Sequence, residues 1–231
     1  MNRLAKISAA VALTIQMAGC ASHQEGSSAL SAFSRMTPAS AEQGPPPSSV
    51  SMPVGTADAE VPSGFISFCI RFQDQCAPTE DHASTIVLTP EIWKTLSNVN
   101  DETNRSIIPE DDREHYGRSE YWTIPTDGRG DCDDYVVTKC KALIQAGLPE
   151  LSLRMAVVLD RDSEKHAVLT VSTDKGDYVL DNLNPEIRRW SDTDYTWLER
   201  QAATDPLKWV NLGYDGHDLI TADTGTTIIS H

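Results

Sequence analysis

Positive charge is scarce in this chain: 19 Lys and Arg stand against 34 Asp and Glu in 231 residues, a formal net charge of −15. Nucleic acid is thereby excluded as a partner, because phosphate binding draws on clustered Lys and Arg. Aromatic residues make up only 6% and are nearly missing before Phe65. Without them residues 20–61, rich in Ser, Ala and Pro and carrying Pro45-Pro46-Pro47, cannot bury a core and are expected to be a disordered tether. Long hydrophobic runs are missing too. The apolar stretch at residues 7–15 is far shorter than the roughly 20 residues a membrane-spanning helix needs. No internal repeat is present, and there are only five cysteines.

Arg3 and Lys6 precede the apolar stretch as a positive n-region, so residues 1–19 read as a signal peptide. The stretch leads into Met17-Ala18-Gly19-Cys20, which resembles a bacterial lipobox with Met in place of the usual Leu. That resemblance implies lipidation of Cys20 as the mature N-terminus; the other reading is ordinary cleavage nearby. Either way the mature chain is exported, and a periplasmic, membrane-anchored lipoprotein is expected. Loss of Arg3 and Lys6 leaves the mature form more acidic still. Such acidity mostly serves solubility, although clustered Asp also suits calcium. Residues 62–231 remain, a length that fits one domain around one core.

Export changes how the cysteines are counted, since the periplasm oxidises accessible pairs. Cys69 and Cys76 enclose six residues, a spacing that a hairpin-like loop closes as a disulfide; a zinc site that adds His82 is the alternative. Cys132 and Cys140 on one helix are separated by about 12 Å of rise, beyond the roughly 7 Å limit for bridged Cα atoms. Cys132 is left as a free thiol in an oxidising compartment. Cys140 belongs with Val136, Leu143 and Ile144 on the buried stripe of that helix.

The helix starts in the Asp-rich turn after Gly128-Arg129-Gly130 and stops at Gly147-Leu148-Pro149. Its first turn holds Cys132, where unpaired N–H groups and the helix dipole favour the thiolate. Asp131, Asp133 and Asp134 oppose that by repulsion, unless they point away or hold a cation. An earlier helix is expected from Pro90, with Thr89 as N-cap, Ile92, Leu96 and Val99 on one face, and an end near Asn104. Residues 107–126 read as irregular but packed. Strands are expected at 153–159, 166–172 and 178–183, the last two as a hairpin. A turn centred between Thr173 and Asp174 pairs His166 with Asp181; a centre one residue later pairs His166 with Leu183 and leaves Asp181 diagonal on the same face. In both, a base and an orienting carboxylate meet.

Gly130-Asp131-Cys132-Asp133-Asp134-Tyr135, Lys165-His166-Ala167-Val168-Leu169 and Tyr178-Val179-Leu180-Asp181-Asn182 together resemble the signature segments of the bacterial transglutaminase-like cysteine peptidases. Trp93, Asn100, Tyr116-Gly117, Trp122 and Leu153-Arg154 are similar to that family as well. The resemblance implies an α+β, papain-like or transglutaminase-type core, with the Cys-bearing helix packed on an antiparallel sheet. It implies Cys132 as nucleophile, His166 as general base and acid, and Asp181 as the orienting residue. One branch of the family comprises calcium-dependent periplasmic proteases that clip surface adhesins and so release biofilm cells. That branch implies calcium on Asp131, Asp133 and Asp134, an adhesin-like protein substrate and an inner-membrane regulatory receptor. Two departures stand out: Asp133 replaces a longer Glu, and the lipid anchor with its tether is foreign to the soluble members.

The resulting chemistry is acyl transfer through a thioester, with water as acceptor in a peptidase. A lysine amine as acceptor makes the same residues a transglutaminase. A third reading is a non-catalytic lipoprotein that binds calcium and a protein partner, and one or two of the Asp residues can simply cap the helix. Histidines 23, 82, 115, 217 and 231 are expected at the surface. Asp192 and Asp194 are expected in a loop or cap, and Trp190, Trp197 and Trp209 in the core or a groove wall.

Overall fold

The structure, a computed structural model, describes residues 51–53, 55, 57–77 and 83–215. In chain order the elements are β1 (Ala57–Asp58), α1 (Ser63–Arg71), α2 (Pro90–Ser106), β2 (Ile108–Pro109), α3 (Asp112–Tyr116), β3 (Arg129–Gly130), α4 (Cys132–Gln145), β4 (Leu153–Leu159), β5 (Lys165–Thr173), β6 (Gly176–Leu180), β7 (Arg188–Arg189), β8 (Thr196–Gln201) and β9 (Trp209–Asp215). The expected signal peptide, Cys20, most of the tether, His82 and residues 216–231 lie outside the described residues. No helix among the described residues is long and apolar enough to cross a membrane.

α2 begins where its sequence says it should. Thr89 Oγ1 accepts the Ile92 N–H at 3.3 Å, and Pro90 occupies the first turn, where a missing N–H leaves no bond unmade. Trp93, Leu96, Asn100 and Thr103 form its buried face, and Ile92 and Val99 flank it half-buried. α4 is buried over most of its circumference, with Tyr135, Val136, Val137, Lys139, Cys140 and Leu143 all inside. Ile144, expected in the buried stripe, is 39% exposed. It follows Leu143 by about 100° of helix rotation, which carries it off the packed face.

Seven strands form an antiparallel sheet in the order β1-β9-β8-β4-β5-β6-β7. Along its strands the side chains alternate between two buried layers. Leu153, Met155, Leu169, Val171, Tyr178 and Leu180 pack with Val136 and Leu143 of α4 and Trp93 and Leu96 of α2. Ala156, Val158, Val168 and Val179 pack on the other side with Trp190, Tyr195, Trp197 and Leu212. A sheet covered on both faces needs apolar residues at successive positions, which is why β4 and β5 carry near-continuous apolar runs. Trp190, Trp197 and Trp209 are core residues, each no more than 1% exposed.

Two expectations need correction. The packed region begins before residue 62: β1 pairs with β9 through Ala57↔Asn211 and Asp58↔Val210, and Met52 is buried with its N–H donated to Asp177 at 2.5 Å. Cys69 and Cys76 are disulfide-bonded with Cα atoms 5.4 Å apart. The bridge joins the last turns of α1 to a single 3₁₀ turn at Gln73–Gln75 rather than closing a hairpin-like loop. Both sulfurs are thus used, and the zinc alternative falls.

The β5–β6 ladder runs from Leu169↔Leu180 to Thr173↔Gly176, the second of the two expected registers. Gly176, at φ +104°, closes the tight turn over Asp174 and Lys175. β6 stops at Leu180, so residues 181–183 leave the sheet instead of extending it. Extended along the ladder, His166 faces position 183 and Asp181 becomes its diagonal neighbour.

Candidate active site

The approach to Cys132 is set by glycine. A Cβ added to Gly130 would lie 2.2 Å from Asp134 Oδ2, so the chain passes hard against the first turn of α4. Asp131 is the N-cap; its carbonyl accepts the N–H groups of Asp134 at 3.1 Å and Tyr135 at 3.3 Å. Cys132 is therefore the first helical residue, and its own N–H has no acceptor within the helix. The side chain is half-buried and borders a cavity of about 470 Å³ that it shares with His166, Tyr135, Asn182 and Leu183.

His166 is the second residue of β5, buried, and Asp181 follows β6, also buried. Their side chains meet at 2.8 Å between Nε2 and Oδ1. Three further donors hold the same carboxylate: Leu183 N–H on Oδ1 at 3.0 Å, Asn184 Nδ2 on Oδ2 at 3.0 Å, and the Tyr195 hydroxyl on Oδ2 at 2.5 Å. Burial alone would raise the Asp181 pKa, but His166, Asn184 and Tyr195 outweigh it and hold the carboxyl at about 2. An ionised carboxylate only accepts, so Nε2 carries the proton in this bond. Nδ1 is then the ring nitrogen left to exchange a proton with a thiol. The Tyr195 ring also packs on the imidazole, centroids 5.7 Å apart. Asn184 and Tyr195 escape sequence reasoning because neither sits in a signature segment; the short Asp-x-x-Asn spacing from Asp181 is the only trace of one.

The thiol itself stands in an unfavourable field. Burial pushes the Cys132 pKa well above its ordinary value, and the charges of Asp133 and Asp131 push it further, against one Ala167 N–H bond. Cys140, buried with no such bond, is raised to about 12 by burial and then by Glu150. The acidic residues divide into two groups. Asp112, Asp131 and Asp133 each bring a carboxylate oxygen within 4.8 Å of the others. Each has a buried Oδ1 with no hydrogen-bond partner among the described residues. Burial, followed by mutual repulsion, raises Asp131 to about 6 and Asp133 well above its ordinary value. Three orphaned hard oxygens in one place fit a calcium-type cation.

Asp134, expected as the third ligand, is not in that group. Its Oδ1 accepts the Thr123 N–H at 2.7 Å and so ties the loop before β3 to α4. Asp112, at the start of α3, stands in its place and was not singled out from the sequence, because residues 107–126 carry no periodicity that would show where a carboxylate turns inward. The Asp112 carboxylate also accepts the Tyr121 N–H. The cap reading fails for Asp131, whose side chain makes no capping bond. His115, expected at the surface, is half-buried, 2.8 Å from Asp127 and stacked on Tyr116. Asp192 pairs with Arg189 and Asp194 with Arg161, both at the surface.

The chain matches the family model described as bacterial transglutaminase-like cysteine proteinase over residues 56–217. Among solved structures it is similar to Legionella pneumophila LapG, with 22% identity and a TM-score of 0.46 over 65% of this chain and 79% of that one. Calcium-bound LapG from the same organism gives 20% and 0.45 over 66% and 81%, and EGTA-treated LapG 21% and 0.43 over 59% and 71%. Among curated proteins, none matches the chain. The family match spans well over half of the sequence, so this chain belongs to the bacterial transglutaminase-like cysteine proteinases and is a cysteine peptidase with an α+β, transglutaminase-type core.

Proposed function

We propose that the protein is an exported peptidase that cleaves protein amide bonds through Cys132, His166 and Asp181. The observation that carries the reading is the 2.8 Å bond from His166 to a four-fold bonded Asp181, beside a cavity that also contains Cys132. Nδ1 of His166 takes the thiol proton, and the thiolate attacks the scissile carbonyl. The oxyanion forms near the start of α4, where the Cys132 N–H is free to donate. Collapse of the tetrahedral adduct breaks the C–N bond as Nδ1 protonates the leaving amine, leaving a thioester. Water, deprotonated by Nδ1, then releases the acid and restores the thiol. Asp181 keeps the ring in one tautomer and stabilises the imidazolium formed at each step.

Asp112, Asp131 and Asp133 would hold calcium, whose charge would offset the carboxylates that oppose the Cys132 thiolate. Outside the chemistry, the proposal extends to a lipid anchor at Cys20 on the periplasmic side of a membrane, a cell-surface protein such as an adhesin as substrate, and an inner-membrane receptor as regulator. The signal-like first twenty residues and the acidic, nucleic-acid-excluding charge support it.

Labelling with iodoacetamide tests the reading directly. Cys132 is expected to react at least tenfold faster than Cys140, because only a thiol paired with an imidazole exists as thiolate near neutral pH. Equal, slow labelling of both would instead favour a non-catalytic binding lipoprotein.

A further inference from the structure

Lys139 lies seven residues beyond Cys132 on α4, about 10 Å along the axis. It is fully buried, yet its Nζ has no hydrogen-bond partner among the described residues. The Tyr135 ring is its aromatic neighbour, with the centroid 5.9 Å away. A buried amine is costly unless it is bonded. Burial pushes its pKa down to about 7, against the pull of two carboxylates. These are Asp181 from the loop after β6 and Asp101 from α2; with Tyr135 of α4 they are the titratable groups facing it.

α2, which packs against α4, carries the matching deficit. Asn100 donates Nδ2 to the Pro185 carbonyl at 2.9 Å, and Asn104 donates Nδ2 to the Asp181 carbonyl at 2.8 Å. In both residues Oδ1 is buried and unpartnered among the described residues. One orphan donor and two orphan acceptors thus border the loop that carries Asp181. Buried polar groups in native proteins are nearly always paired, directly or through an ordered water.

We propose that Lys139 is a positioning residue for Asp181: its amine is linked across a buried water to the free side-chain oxygens of Asn100 and Asn104, and so fixes the 181–185 loop whose carboxylate orients His166. The inference rests on the Cys132–His166–Asp181 reading. An ammonium offers three N–H donors and a neutral amine two, so two acceptors are served in either protonation state. Lys139 does not line the cavity at Cys132, so it acts through Asp181 and its loop rather than on the thiol.

The test is the rate of iodoacetamide alkylation of Cys132 from pH 5 to 9, which needs no knowledge of the substrate. It compares the wild-type full chain with Lys139→Met, Asn104→Leu, the double variant and Asp181→Asn. Lys139→Met is expected to slow alkylation below pH 7 about tenfold, the effect of one pKa unit, and to flatten the profile toward that of an isolated thiol. Asp181→Asn does so at least as strongly, and Lys139→Met has a smaller effect once Asn104 is Leu than in the wild type, because only the Asn100 acceptor is then left to it. A wild-type profile in Lys139→Met beside an altered one in Asp181→Asn overturns the positioning role alone. Wild-type profiles in both overturn the triad reading beneath it. Should Lys139→Met not fold, Lys139→Arg keeps the donors and retains the wild-type profile, whereas Asn100→Leu removes an acceptor and flattens it; the reverse pattern contradicts the proposal.

Discussion

Cys132 begins a helix, which favours its thiolate, and sits between Asp131 and Asp133, which oppose it. Burial makes the opposition the stronger effect in the protein alone. The acidic cluster behind it is unsatisfied in the same way, with three buried carboxylate oxygens lacking donors. A divalent cation on Asp112, Asp131 and Asp133 answers both. Asp112→Asn is therefore expected to weaken calcium binding by tenfold or more in titration calorimetry, whereas Asp134→Ala lowers the melting temperature by leaving the Thr123 N–H without its acceptor; equal calcium affinity in wild type and Asp112→Asn would contradict the assignment. Asp181 has a second, independent signature. Its folded pKa is held near 2, below the ordinary 3.8, so the stability it contributes is present above about pH 4 and is lost as pH falls toward 2. Asp181→Asn should flatten the fall in melting temperature over that range, and should cut turnover about 10²- to 10⁴-fold, since the imidazole loses its fixed tautomer.

The hairpin of β5 and β6 was legible at the level that matters for chemistry. Two registers were open from the sequence, and both brought His166 and Asp181 to one face, because a shift of the turn centre by one residue moves the ladder by two and keeps the side-chain parity. The expected strand ran too far, to residue 183: Asp181-Asn182 are poor strand formers, and β6 stops before them as the backbone turns away to be held by Asn104. The acidic cluster was half legible for a related reason. Asp131 and Asp133 are fixed by the first turn of α4, whereas Asp112 arrives through α3, a five-residue helix whose place is set by tertiary contacts. α1 depends on another local restraint. Its Arg71 donates to the Trp122 carbonyl at 2.6 Å and stacks 3.8 Å over Tyr121, next to the segment that contacts Asp112 and Asp134. The Cys69–Cys76 bridge closes a short loop worth about 2–3 kcal/mol in chain-entropy terms. Reduction with dithiothreitol is expected to lower the melting temperature by several degrees in a calorimetric scan, and a Cys69→Ala variant should show the lower value without further response to the reductant.

On the scale of the whole chain, a sheet buried on both faces holds one end of the hairpin against the start of α4, and that junction brings three distant signature segments together. The fold class was legible through the resemblance of the signature segments, and the apolar runs in β4 and β5 agree with it, since they demand two covering layers. The upstream boundary does not, because β1 is two exposed residues with no strand pattern, recruited by the edge of β9. The family gives the peptidase chemistry, while work outside the cytoplasm is the part of the proposal that rests on the signal-like N-terminus. The central claim is that Cys132 cleaves protein substrates there. Mass spectrometry of new protein N-termini in envelope and secreted fractions, from cells carrying the wild-type or Cys132→Ala protein, tests it most directly. The account predicts at least one cleavage product present with wild type and missing with Cys132→Ala; identical N-termini in both, with each protein expressed, would contradict it.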